Sequence, residues 1–135
     1  MEKSYILMGN PRKVCIVDDE QYILSLLKRA LEKKYKNLVV ETFEDPLSAI
    51  KSFNKDLHLL ILDLEMPQID GKKLLQFAVE KGVRKERIII FSSRDAKDLH
   101  QLFPQGECLC VISKRDGEQL KALTYILDSI MRKER

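Results

Sequence analysis

Short uninterrupted apolar runs constrain this chain more than any other feature, because each breaks off at a charged or hydroxyl-bearing residue and gives way to helical periodicity. Lys13–Val17 carries Val14-Cys15-Ile16-Val17 and stops at Asp18-Asp19-Glu20. A run without polar alternation reads as a strand buried on both faces, which is the mark of a parallel sheet covered by helices. From Glu20 to about Tyr35, residues Ile23, Leu26, Leu27, Ala30 and Leu31 recur at helical spacing. Leu38–Phe43, rich in β-branched residues, predicts a second strand. Asp45 then suits an N-cap and Pro46 a first helical position, with Leu47, Ile50 and Phe53 as the apolar face. Leu57–Leu62 is a third strand and runs into Asp63. Pro67 and Gly71 mark a loop, and Leu74, Leu75, Ala78 and Val79 a third helix. Arg87–Phe91 ends at Ser92-Ser93, and Asp95 to about Phe103 is a short helix. Cys108–Ile112 ends at Ser113-Lys114, and a last helix runs from about Gly117 to Met131 with Leu120, Leu123, Ile126, Leu127 and Ile130 on one side.

Five strands alternating with five helices imply right-handed crossovers and one doubly wound parallel α/β sheet. Such sheets bind ligands beyond the carboxyl ends of their strands. The strand ends here carry Asp18 and Asp19, Asp63, Ser92 and Lys114. Three carboxylates brought together repel one another, and a divalent cation relieves that repulsion. An oxygen-only set with no His or thiolate suits Mg²⁺. A carboxylate is also a competent nucleophile toward a phosphoryl group. The transfer then needs charge neutralisation more than covalent help. Mg²⁺ and Lys114 would supply it, with the Ser92 hydroxyl on a phosphoryl oxygen.

Four strings, in this order, carry a family resemblance: Val17-Asp18-Asp19-Glu20; Leu62-Asp63-Leu64-Glu65-Met66-Pro67 with Asp70-Gly71; Phe91-Ser92-Ser93; and Ser113-Lys114. Over about residues 12 to 133 the chain resembles the receiver domain of two-component response regulators. The resemblance implies a flavodoxin-like five-stranded sheet in the order 2-1-3-4-5 with five helices on both faces. It makes Asp63 the phospho-acceptor, Ser92 the hydroxyl that moves toward the phosphoryl group, and Lys114 the cation that pairs with it. Asp19 would bind Mg²⁺ directly, Asp18 through water, Asp63 as a further ligand, and Glu65 through its backbone carbonyl. The donor would be a sensor histidine kinase, a phosphotransfer protein or a small acyl phosphate. The signal would pass to a downstream target protein or an output domain. The face of the fourth and fifth helices would be open to homodimerisation. The domain would assist its own phosphorylation and dephosphorylation rather than act as an enzyme on other molecules.

Three positions depart from that pattern. Arg115 follows the lysine where the family usually has Pro, so a trans bond is expected there. Val111 stands where a switching aromatic is usual, and Ser93 where Ala is usual. Glu65 and Arg94, two residues after Asp63 and Ser92, match positions that flank the route of the attacking water. They are expected to pair and slow hydrolysis. A competing reading is an interaction module that needs no phosphorylation, favoured by Val111 and Arg115 and opposed by five competent site residues. A haloacid-dehalogenase-like phosphatase would instead place its nucleophile after the first strand and its acidic pair last.

Composition narrows the remaining classes. A net charge of +3 without a basic stripe, and no helix-turn-helix left unassigned, argue against nucleic-acid binding by this domain. Tyr5-Ile6-Leu7-Met8 is too short for a signal peptide or a membrane span, so a cytoplasmic location is expected. Cys15, Cys108 and Cys110, an odd number without metal-site spacing, read as small buried strand residues in a reducing compartment. His58 and His100 read as surface or core-edge residues, and Tyr125 and Met131 as packing residues. Residues 1–11 are expected to be a leader, and 12–135 the receiver domain.

Overall fold

A computed structural model describes residues 11–133. The expected leader lies outside them, apart from Pro11. The elements follow in order: β1 Arg12–Val17, α1 Gln21–Lys34, β2 Leu38–Phe43, α2 Pro46–Ala49, β3 Leu57–Asp63, α3 Gly71–Glu80, β4 Ile88–Ser92, α4 Ala96–Leu102, β5 Cys110–Ser113 and α5 Gly117–Lys133. The five strands form one parallel sheet in the order β2-β1-β3-β4-β5.

Because successive strand residues point to opposite faces, each strand feeds two cores. Val14 and Ile16, Leu59 and Ile61, Ile89 and Phe91 pack under α1 and α5, against Leu24, Leu31, Leu123, Leu127 and Ile130. Cys15 and Val17, Leu60 and Leu62, Ile88 and Ile90 meet α3 and α4 through Leu74, Leu75, Ala78 and Leu99. Ile16, Leu60, Ile61 and Ile90 are almost completely buried, each contributing about 1.5–3 kcal/mol over an exposed side chain. Aspartates cap the starts of α2, α3 and α4. Asp45 accepts from the Leu47 N–H at 3.1 Å, Asp70 from Lys72 at 2.9 Å and Asp95 from Asp98 at 2.9 Å.

Several expectations are corrected. The predicted loop after Asp63 holds a two-residue antiparallel ladder, Glu65–Met66 with Ile69–Asp70. The second helix tightens to a 3₁₀ turn at Ile50–Ser52, and Leu47 faces solvent while Phe53, beyond the turn, fills the core. Leu26 and Leu120 stand on α-helix edges rather than in the core, and Tyr125 is exposed, not packed. Met131 is buried as expected. Of the cysteines only Cys15 is buried, and Cys108 precedes its strand. The described residues contain no cis peptide bond, and none of their helices is long and apolar enough to cross a membrane.

Candidate functional site

Strand register lines up the polar strand ends. Val17 pairs with Leu62, Asp63 with Phe91, and Ser92 with Ser113. The residues that follow these pairs therefore meet at one edge of the sheet. Asp18, Asp19 and Asp63 each offer a carboxylate oxygen, and these oxygens lie within 4.8 Å of one another. Asp18 and Asp63 are almost fully buried, while Asp19 is exposed.

Lys114 enters this cluster from the end of β5. Its ammonium lies 2.7 Å from Asp18 Oδ2, 3.0 Å from Glu20 Oε1 and 3.8 Å from Asp63 Oδ2, with the Phe91 ring 5.2 Å away. Asp18 Oδ1 accepts the Glu20 N–H at 2.9 Å, and Asp63 Oδ1 accepts the Glu65 N–H at 3.1 Å. Burial opposes charge on Lys114, but hydrogen bonds to Asp18 and Glu20 outweigh it and hold its pKa above the ordinary value. For Asp63 the balance runs the other way. Burial, then the like charge of Asp18, push its carboxyl up to about 7 despite Lys114. One ammonium does not offset three acids packed this closely, and a cation of higher charge would. The donors are all oxygens, so the set fits a hard divalent ion rather than one that needs imidazole or thiolate.

A second group adjoins the first. Ser92 is fully buried at the end of β4, and its hydroxyl donates to Glu65 Oε1 at 2.7 Å. Ser93 donates to the same oxygen at 3.4 Å, and the Arg94 guanidinium binds Glu65 Oε2. Burial alone would raise Glu65, but the hydrogen bonds from Ser92 and Arg94 hold its carboxyl below the usual value. Glu65 thus turns its side chain to the hydroxyls and not to the acidic cluster. Arg94 also donates its N–H to Ser92 Oγ at 3.1 Å, and its carbonyl accepts from Ser113 Oγ at 2.7 Å. Beside this group lies a cavity of about 580 Å³ lined by Leu64, Met66, Pro67, Asp70, Lys72 and Leu102. Gly71 packs directly on Leu64, where a Cβ would lie 2.9 Å from its Cα.

The structure therefore gathers Asp18, Asp19, Asp63 and Lys114 in one cluster, and Glu65, Ser92 and Arg94 in its neighbour. Val111 stands apart. It is buried on β5 in the α3–α4 core and lines a separate cavity of about 260 Å³ with His100 and Phe103. His58 lies 3.3 Å from an Arg87 nitrogen, and His100 is exposed. Two contributors were not assigned from sequence. Glu20 stands in the acidic string and is the third partner of Lys114, a role visible only once β5 is placed beyond β3 and β4. Ser113 is buried and ties β5 to Arg94, for which the sequence carries no signal beyond its place at a strand end.

A family model described as the response regulator receiver domain matches residues 14–124. The transcriptional regulatory protein TrcR of Mycobacterium tuberculosis is 34% identical over 89 residues, covering 65% of this chain and 34% of that protein. A protein-glutamate methylesterase/protein-glutamine glutaminase of Azospirillum brasilense is 39% identical over 64 residues, 47% of this chain and 16% of that protein. The chain thus spans about a third or less of the length of these relatives. Among solved structures, the non-phosphorylated HemR receiver domain from Leptospira biflexa superposes with a TM-score of 0.71. The two are 22% identical, over 89% of this chain and 94% of that one. The response regulator domain of Thermotoga maritima CheB gives a TM-score of 0.66 at 22% identity, over 90% and 95%.

Proposed function

Since the chain belongs to the response regulator receiver domain family, we propose that it is a phosphoacceptor switch in which Asp63 takes a phosphoryl group and so alters a partner-binding surface. The observation that carries the reading is the position of Asp63, buried at a strand end, with Asp18 and Asp19 in ligand range and Lys114 3.8 Å away. The receiver unit is residues 12–135, in the cytoplasm.

An oxygen of Asp63 attacks the phosphorus of a phosphohistidine, or of a small acyl phosphate. The new O–P bond forms as the P–N or P–O bond to the donor breaks, and the donor leaves with the electron pair. Asp18, Asp19, Asp63 and the Glu65 carbonyl are the groups to hold Mg²⁺, which when bound offsets the negative charge of the transferred group. The Lys114 ammonium turns from Asp18 toward a phosphoryl oxygen, and the Ser92 hydroxyl donates to another. Glu65 and Arg94, paired at the mouth of the site, hinder the water that would hydrolyse the product. The donor is a sensor histidine kinase or a phosphotransfer protein, and the receiver of the signal is a target protein or an output domain. The helix face that bears Tyr125 is the surface for a homodimer.

Intact mass spectrometry after incubation with acetyl phosphate, with and without Mg²⁺, tests the reading. A metal-dependent phosphoryl adduct absent from Asp63→Asn is the expected result. A folded, Mg²⁺-binding protein that takes no adduct from acetyl phosphate or from a kinase would favour the module that works without phosphorylation. Val111, which has no aromatic ring to reorient, and Arg115, which stands in place of a proline, are the features that speak for that alternative.

A further inference from the structure

We propose that Glu65 is a positioning residue that gates Ser92, its carboxylate holding the buried hydroxyl away from Asp63 until a phosphoryl oxygen outcompetes it. The inference rests on the reading of Asp63 as the phosphorylated residue, and adds what regulates that site.

A serine hydroxyl has one proton to donate. In Ser92 that proton is directed at Glu65 Oε1, at 2.7 Å, while Oγ accepts the Arg94 N–H at 3.1 Å. Ser92 is fully buried, so no bulk water stands ready to replace a lost partner. Donation to a phosphoryl group on Asp63 therefore requires departure from Glu65. Bonds to an ionised acceptor are roughly twice as strong as neutral ones. The hydroxyl thus faces a contest between two anions, one built into the protein and one supplied by the donor.

The other members of the group make the exchange reversible. Glu65 is partly open to solvent and keeps the Arg94 guanidinium when Ser92 leaves, so its charge is not stranded. Arg94 is held at three points, by Ser92 Oγ, by Glu65 and by the Ser113 hydroxyl on β5. Movement of Ser92 is therefore felt at the start of the β4–α4 connection and at the edge strand. Val111 provides no ring to do so.

Beryllofluoride with Mg²⁺ serves as the phosphoryl mimic, its affinity measured by NMR for the wild type, Glu65→Ala, Ser92→Ala and the double variant. Glu65→Ala should shift the Arg94 backbone amide before any ligand is added, and should bind beryllofluoride roughly three- to tenfold tighter. In the Ser92→Ala background the same replacement should change affinity by less than about twofold, because no hydroxyl remains to be released. Glu65→Gln, which keeps a neutral acceptor, should fall between wild type and Glu65→Ala. Equal tightening with and without Ser92 would mean that Glu65 acts only as a nearby charge, and would overturn the gate alone. So would equal affinities of wild type and Glu65→Ala. A wild type that is folded and binds Mg²⁺ yet takes no beryllofluoride would overturn the reading of Asp63, and the gate with it.

Discussion

The Lys114 ammonium lies 2.7 Å from Asp18 Oδ2 and 3.8 Å from Asp63 Oδ2, so a single cation stands between two buried carboxylates. A divalent ion entering the acidic cluster must share Asp18 with that ammonium. Lys114→Met should therefore tighten Mg²⁺ binding, by roughly three- to tenfold for like charges a few ångströms apart in a partly screened site. The same variant should lose the phosphoryl adduct, since the cation that would pair with it is gone. Calorimetric Mg²⁺ titration checks the first effect and intact mass the second. An unchanged Mg²⁺ affinity would show that Lys114 does not contest the metal's place.

Asp63 gives the metal-free protein a pH-dependent stability. Burial and the Asp18 charge push its carboxyl up to about 7, whereas an unfolded Asp titrates near ~3.9. Between those values the folded state holds a proton that the unfolded state has lost, so stability falls as pH rises. The contribution is fully present below about pH 4 and is lost as pH passes through about 7. Asp63→Asn removes it, and its melting temperature at pH 8 without metal should exceed that of the wild type. A difference of about 1 kcal/mol corresponds to about 4 °C in a domain of this size. Thermal melts followed by circular dichroism at pH 5 and pH 8 check this, and Mg²⁺ should restore the wild type. Parallel pH profiles for the two proteins would mean that Lys114 already neutralises Asp63.

The residues that end the strands were legible in the sequence because buried strands leave no choice of period. Val14–Val17 and Leu59–Leu62 are apolar on both faces, and the first polar residue after each must lie at the sheet edge. The same logic brings Asp18, Asp63, Ser92 and Lys114 together from the sequence alone. Side-chain partnerships were less accessible. Glu20 joins Lys114, 94 positions away, through a contact that no local pattern encodes. Ser92 to Glu65 likewise depends on which rotamer wins between competing acceptors. Helix faces at the edges were misread because period alone cannot say how wide the buried stripe is. Leu26, Leu47 and Leu120 keep the helical spacing and still meet solvent. Tyr125 was misjudged for a related reason, since an aromatic ring on a helix carries no sign of which neighbour covers it.

Gly71 should tolerate no side chain. An added Cβ would lie 2.5 Å from Leu64 Cδ1, 2.9 Å from Leu64 Cα and 3.0 Å from its carbonyl oxygen. The leucine tip is the flexible end of its side chain, but its backbone immediately follows Asp63 and cannot yield without moving the site. Gly71→Ala should therefore cost about 1–3 kcal/mol, the range for overpacking a well-filled position. Urea denaturation should show a lower midpoint with an unchanged slope. The phosphoryl adduct should also form more slowly. A midpoint equal to that of the wild type would mean that the ladder from Glu65 to Asp70 absorbs the extra carbon.

Glu65 and Arg94 form an ion pair whose side chains are 36% and 47% exposed, so its weight in stability is small, about 0–1 kcal/mol. Its effect should be kinetic. On the proposed reading the pair flanks the route of the attacking water to Asp63, and the ion pair between them would obstruct it. Replacing both by Ala should shorten the life of the phosphorylated state by roughly threefold or more, which takes a barrier change of only about 0.7 kcal/mol. The single variants separate obstruction from the hold on Ser92. Arg94→Ala opens the mouth and leaves Glu65 to compete with the phosphoryl group for Ser92, whereas Glu65→Ala removes that competitor. Loss of the adduct followed by mass spectrometry should therefore be faster in Arg94→Ala than in Glu65→Ala. If all three variants decay at the wild-type rate, the pair takes no part in hydrolysis, and its remaining role is the geometry it imposes on Ser92.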